Sequence, residues 1–169
     1  MARRALSLHA RQLMAASLGL VAFLGLTGYA LDRAFQETAH EALKDRLENY
    51  VMSYYQGMEF ARNGSLLMPE RPPDQRFERP GSGLYAGLVS RGLRWESASS
   101  LGRVLPPPPP LKLNEMRLDG PLPYTTGRSG SDKVYRLSHT TVWETERGDM
   151  PLTFAVYEDT AQLDAQLGV

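Results

Sequence analysis

The chain of 169 residues contains no cysteine. That absence excludes a disulfide framework, Cys-ligated zinc and thiol chemistry, and it leaves the redox compartment unassigned. Neither sign of charge is in excess: 19 basic side chains stand against 19 acidic ones. A nucleic-acid-binding protein normally shows a basic surplus, so no nucleic-acid partner is expected. Catalytic spacing is missing too. The three histidines, His9, His40 and His139, form no set with a serine and a carboxylate. Ser82 lacks the Gly-x-Ser-x-Gly spacing of a hydrolase nucleophile. Gly81, Gly83 and Gly87 faintly suggest a phosphate loop, but such loops follow a strand and open a helix, whereas these open a strand. These residues are expected to hold no active site and no cofactor.

The longest uncharged run extends from Gln12 to Leu31, and roughly 20 such residues span a hydrocarbon core as a helix. Arg3, Arg4 and Arg11 precede it, and all acidic residues follow Leu31. Residues 1–11 therefore read as a cytoplasmic tail, 12–31 as a transmembrane helix in the lipid bilayer, and the remainder as extracytoplasmic by the positive-inside rule. The expected location is the bacterial inner membrane, with one span and a periplasmic domain. A cleaved signal peptide is the rival reading, with Gly28-Tyr29-Ala30 as its small-x-small site. The length of the run, and its unbroken passage into a second helical pattern, favour a retained anchor.

Residues 32–160 read as the extracytoplasmic domain. Phe35, Ala39, Ala42, Leu43, Leu47, Tyr50, Val51, Tyr54 and Met58 recur at helical spacing and predict a helix over 32–62, ended by Asn63-Gly64-Ser65. With the anchor, this makes a helix roughly 70 Å long at 1.5 Å per residue. Pro69 to Gly83 reads as an extended loop. Leu84–Ser90 and Leu93–Ala98 read as a hairpin through Arg91-Gly92. Leu101–Asp132 is poor in structure signals; its Pro106–Pro110 run reads as a surface excursion in polyproline II. Lys133–Thr145 and Pro151–Glu158 alternate in polarity and form a second hairpin through Glu146–Met150. Residues 161–169 read as an outgoing helix cut off before a second span. Helices segregated from an antiparallel sheet over 84–158 define an α+β fold. Leu88, Trp95, Trp143, Phe154 and Val156 are the expected core against the long helix.

This architecture, with the PGSGLYAGLVS-RGLRWESAS hairpin and the TFAVYEDTAQLDAQL exit, resembles the input half of bacterial two-component sensor histidine kinases. The closest likeness is to the PhoQ-type sensors with a periplasmic PAS-like domain. The resemblance implies a signal-sensing and membrane-anchoring role and a PAS-like sheet beside the long helix, with Leu84–Ser90 next to Pro151–Glu158. It also implies kinase domains elsewhere in the protein, where ATP would be used, and a cytoplasmic response regulator as their partner. The alternative is a complete membrane-tethered periplasmic binding or scaffold protein. A parallel homodimer is expected, with Phe35, Ala42 and Leu47 in its seam and Gly19, Gly25 and Gly28 permitting close approach in the membrane.

Two motifs point to chemistry. His40-Glu41-Ala42-Leu43-Lys44 approaches the phospho-acceptor box of the kinases but lacks its proline, and reads as a solvated helix segment. Glu144, Glu146, Asp149, Glu158, Asp159 and Asp164 crowd the C-terminal part. Hard divalent cations take oxygen ligands, so Glu158, Asp159 and Asp164 are the candidate metal ligands; a solvated acidic face is the plainer reading. The dense acidic run with which enteric PhoQ-type sensors bridge metal ions to the membrane has no counterpart here. The sensed species, a divalent cation or a small ligand, stays open.

Overall fold

The computed structural model describes residues 7–125 and 132–167. Arg3 and Arg4 of the tail, the GRSGS stretch at 127–131, the side chain of Asp164 and residues 168–169 lie outside the described residues. The contacts divide the chain into two units, Met1–Leu43 and Lys44–Val169. Helix α1 (Leu8–Gly57) contributes to both.

In the first unit, the Ser7 hydroxyl accepts the Ala10 N–H at 3.3 Å, the arrangement that satisfies a free donor at a helix start. Leu13, Leu18, Val21, Phe23, Leu24 and Leu26 are all exposed. The most apolar stretch has a mean hydropathy of 1.7 and none of it is buried. This helix is long and apolar enough to cross a membrane. Beyond it, polar pairs one turn apart take over: Arg33 with Glu37 at 3.4 Å, and Gln36 donating to Asp32 at 3.0 Å. His40 is an exposed residue of this stretch.

In the second unit, α1 ends at Gly57, five residues short of the expected Arg62. Pro69 packs onto the glycine so closely that a Cβ there would lie 2.6 Å from the proline ring. Asn63-Gly64 is instead the turn of a small hairpin, β1 (Glu59–Phe60) with β2 (Leu66–Leu67). Gly64 takes φ +83°, and the Asn63 side chain accepts the Ser65 N–H at 3.0 Å, an Asx turn. The loop that follows is largely extended but contains a short 3-10 turn at Gln75–Phe77.

The main sheet has five antiparallel strands: β3 (Leu84–Ser90), β4 (Leu93–Glu96), β5 (Met116–Pro123), β6 (Lys133–Thr145) and β7 (Gly148–Asp159). Their spatial order is β4-β3-β7-β6-β5. The fold is α+β, as the alternation of the sequence implied. Both predicted hairpins belong to this one sheet, and β3 lies beside β7 with Leu88 opposite Phe154. The second hairpin is tighter than expected, since β7 begins at Gly148 and leaves only Glu146-Arg147 between the strands. Strand β5 departs from the expectation of an unstructured stretch. It is an edge strand, where proline is tolerated, and Gly120, Pro121 and Pro123 hide its alternation. Its register with β6 shifts between Asp119 and Leu122. Helix α2 (Thr160–Leu167) follows β7 directly.

The sheet is covered on both faces. On one face, Leu88, Leu137, Leu152, Phe154 and Val156 are fully buried, as are Leu47 and Val51 of α1. Leu47 therefore serves its own domain and is not available to a dimer seam, whereas Phe35 and Ala42 are exposed. Trp95 and Trp143 were expected in this core but are only half-buried. They close its margins, Trp95 with its ring 5.6 Å from Tyr54 and Trp143 with its ring 5.9 Å from Tyr55. On the opposite face, Tyr85, Leu105, Tyr124, Val134, Ala155 and Tyr157 form a second cluster. The proline run helps to cover that face. Proline has no N–H and bonds only through its carbonyl: Pro106 O accepts the Tyr157 hydroxyl at 2.8 Å, and Pro107 O accepts Arg136 Nη1 at 2.7 Å. Arg136 also pairs with Asp119 at 3.1 Å.

His139 sits in the first of these cores, its Nδ1 2.8 Å from the Tyr55 hydroxyl. Burial holds its pKa below the usual histidine value, against a smaller upward pull from Glu48. The folded state thus disfavours protonation. The stability contribution is complete above the unfolded pKa of about 6.5 and falls as pH drops through that value toward the folded one. Thermal unfolding of the chain should therefore lose midpoint between pH 7.5 and 5.5, and His139→Gln should flatten part of that slope. Identical slopes for the two proteins would contradict this assignment.

Candidate functional site

Pro80-Gly81-Ser82-Gly83 enters β3 through two glycines with positive φ, +77° at Gly81 and +88° at Gly83. Both take backbone conformations that favour glycine, and a side chain at either position would displace a neighbouring side chain. A Cβ on Gly81 would lie 2.4 Å from Arg103 Nη2, and one on Gly83 would lie 2.5 Å from Gln162 Cγ. The bare backbone lets an arginine from the long excursion and a glutamine from α2 lie close over it. Together with Tyr85, Tyr124, Asp132 and Asp159 they line an open cleft of about 510 Å³, within the usual range of small-molecule sites.

Two of the charged side chains in this cleft, Asp159 and Arg103, are held by neutral neighbours among the described residues. Asp159 is 9 % exposed. Its Oδ2 accepts a short hydrogen bond from the Tyr124 hydroxyl, and its Oδ1 accepts the Ala161 N–H at 2.7 Å at the start of α2. Burial, then the bonds to Asp159 and Tyr85, push the Tyr124 phenol far above its ordinary pKa, so it remains a donor. The Tyr85 hydroxyl lies 3.5 Å from that of Tyr124. Arg103 stands over the Tyr85 ring with its guanidinium carbon 5.9 Å from the centroid, a cation–π arrangement. Its Nη1 donates to Leu101 O at 3.0 Å, and its Nε is buried without a hydrogen bond.

Glu158 precedes Asp159 and, by strand alternation, faces the other side of the sheet. It is fully buried. Its Oε2 accepts from Arg46 of α1 at 2.7 Å, and its Oε1 lies 4.0 Å from Arg76. Arg76 in turn pairs with Asp74 at 3.1 Å, and the Tyr50 hydroxyl donates to Asp74 at 3.0 Å. Burial pushes the Asp74 carboxyl upward, but the Arg76 and Tyr50 bonds outweigh it and hold it below its ordinary value.

The acidic crowd of the sequence is therefore dispersed. Glu144, Glu146 and Asp149 flank the β6–β7 turn, at the far end of the 12-residue strand from Glu158 and Asp159. Of the three candidate metal ligands, Glu158 and Asp159 point to opposite faces with different partners, and the Asp164 side chain lies outside the described residues. Among the described residues, no group of three or more His, Asp or Glu is placed to hold a metal ion. The cleft depends instead on Arg103, Tyr85 and Tyr124, which no sequence spacing joins. The one legible trace was Pro80-Gly81-Ser82-Gly83, which composition alone presents as a turn.

No family model, curated protein or solved structure matches the chain.

Proposed function

We propose that the chain is the signal-sensing and membrane-anchoring portion of a two-component sensor histidine kinase, with a PAS-like domain outside the cytoplasmic membrane. The observation that carries this reading is the strand pairing. The first strand of the main sheet lies between the second and the last, and the last runs straight into α2. That is the pairing a PAS-like sheet requires. The apolar stretch of α1 and the arginines before it support an inner-membrane anchor with the N-terminus in the cytoplasm. The consecutive carboxylates at the end of β7 support a role in signalling. Asp159 reaches the cleft, Glu158 reaches α1, and α2 begins at the next residue, so a change in the cleft is one residue from a helix on either side.

Topology and association test the reading. The chain has no native cysteine, so single substitutions report cleanly. Glu146→Cys, on an exposed turn, should react with a membrane-impermeant maleimide in intact spheroplasts, and His9→Cys only after permeabilisation. The reverse pattern would overturn the orientation. In the same membranes, cysteines walked from Phe35 to Ala42 should crosslink between chains with a helical period. A uniformly weak profile would remove the homodimer from the proposal.

A further inference from the structure

We propose that the cleft beside α2 binds a small zwitterion, a free amino acid with its carboxylate toward Arg103 and its ammonium toward Asp159. The inference deepens the sensing role proposed above and rests on it for biological meaning. Its physical argument stands on the cleft alone.

Two charges, Arg103 and Asp159, form no salt bridge among the described residues of a cleft also lined by Asp132. Asp159 is nearly buried and is held only by a phenol and a backbone N–H. Arg103 is half-buried, bonded to a single carbonyl, with a buried Nε that makes no hydrogen bond. Neither has a salt bridge among the described residues. A charge taken out of water without a counter-charge is costly, and guanidinium–carboxylate pairs are among the strongest polar contacts available to a ligand. The two groups line one cleft but form no salt bridge with each other; Arg103 lies against the Tyr85 ring, whose hydroxyl is near that of Tyr124, and Tyr124 in turn bonds Asp159. A simple anion would satisfy Arg103 and face Asp159. A simple cation would do the reverse. A molecule bearing both signs close together satisfies both groups. The Gln162 amide, at the mouth beside Gly83, offers a donor and an acceptor to the same molecule. Gly81 and Gly83 add no side chain to the cleft wall, so Arg103 and Gln162 lie close over the backbone there.

The test is isothermal titration of the full chain in phospholipid nanodiscs with each of the twenty protein amino acids. Propionate serves as the carboxylate-only probe and n-propylamine as the ammonium-only probe. At least one amino acid should bind saturably, at least tenfold more tightly than either half-probe. Arg103→Gln and Asp159→Asn should each weaken that binding at least tenfold, while Arg91→Gln, on an exposed turn, should leave it unchanged. Asp159 also caps α2; should its variant melt early, Arg103→Gln carries the test with its unfolding midpoint as the control. No saturable binding up to about 10 mM, above the millimolar affinities that matter here, would overturn the proposal. So would equal binding of a half-probe, or binding indifferent to Arg103→Gln. These outcomes are separable from failure of the sensing role: a null titration leaves the maleimide labelling untouched, and a cleft that binds in a chain labelled from the wrong side keeps its ligand and loses its signalling purpose.

Discussion

Phe154→Ala should lower the unfolding free energy of the second unit by about 3–5 kcal/mol, the usual cost of removing a buried phenylalanine and leaving its cavity. The side chain is fully buried at the centre of β7. Its ring lies 5.1 Å from Tyr54, 5.7 Å from Tyr55 and 6.2 Å from Trp95. Those partners come from α1 and from the edge strand β4, so one truncation loosens the helix and the sheet margin together. Packed aromatic pairs add roughly 0.5–1.5 kcal/mol each beyond area burial, which places the loss toward the upper end. Chemical denaturation of the chain in detergent is the measurement. A loss below about 0.5 kcal/mol, ordinary for a surface position, would mean that α1 does not lean on this strand.

The second large effect belongs to the buried carboxylate of Glu158. Arg46→Met should destabilise the fold by about 3 kcal/mol, the low end for stranding one member of a buried ion pair. Arg46 is 33 % exposed at its side chain and Arg76 remains 4.0 Å from the other oxygen, so the loss stays at that low end. Glu158→Met in the same chain should recover most of it, because replacing both members with apolar groups of similar volume is often neutral. The double-mutant cycle therefore predicts strong coupling. Additive effects would show that the 2.7 Å contact contributes nothing to stability. The same cycle reports how firmly α1 is tied to the strand that runs into α2, since Arg46 and Glu158 join the two.

What could be read in the sequence follows from how local each signal is. The long apolar helix, the two hairpins and the short helix after β7 rest on runs of neighbouring residues, and the structure has helix or strand in each of these places. The end of α1 does not rest on such a run, because Gly57 yields to Pro69, twelve positions further on, and Asn63-Gly64 signals a turn without saying of what. Strand β5 was hidden by its own prolines, and only its pairing with β6 makes it a strand. The alternation of β6 puts Arg136 and Ser138 on the face opposite Leu137, and both are buried there. That face is covered in part by the proline run, which composition presents as a surface excursion. The cleft was the least legible part. Tyr85, Arg103, Tyr124 and Asp159 lie on four separate segments, and a sheet must bring them together before their charges mean anything. The acidic crowd misleads for the same reason: closeness along a hairpin places Glu146 and Glu158 at opposite ends of a strand.

The central claim, that these residues are the input half of a membrane-bound histidine kinase, is tested most directly by sequencing the gene beyond codon 169. The account predicts an open reading frame that runs on from α2 into a second uncharged stretch of about 20 residues, followed by a dimerisation helix pair bearing a phospho-acceptor histidine and an ATP-binding domain. A stop codon directly after Val169 would contradict it and leave a tethered periplasmic binding protein as the reading of the fold.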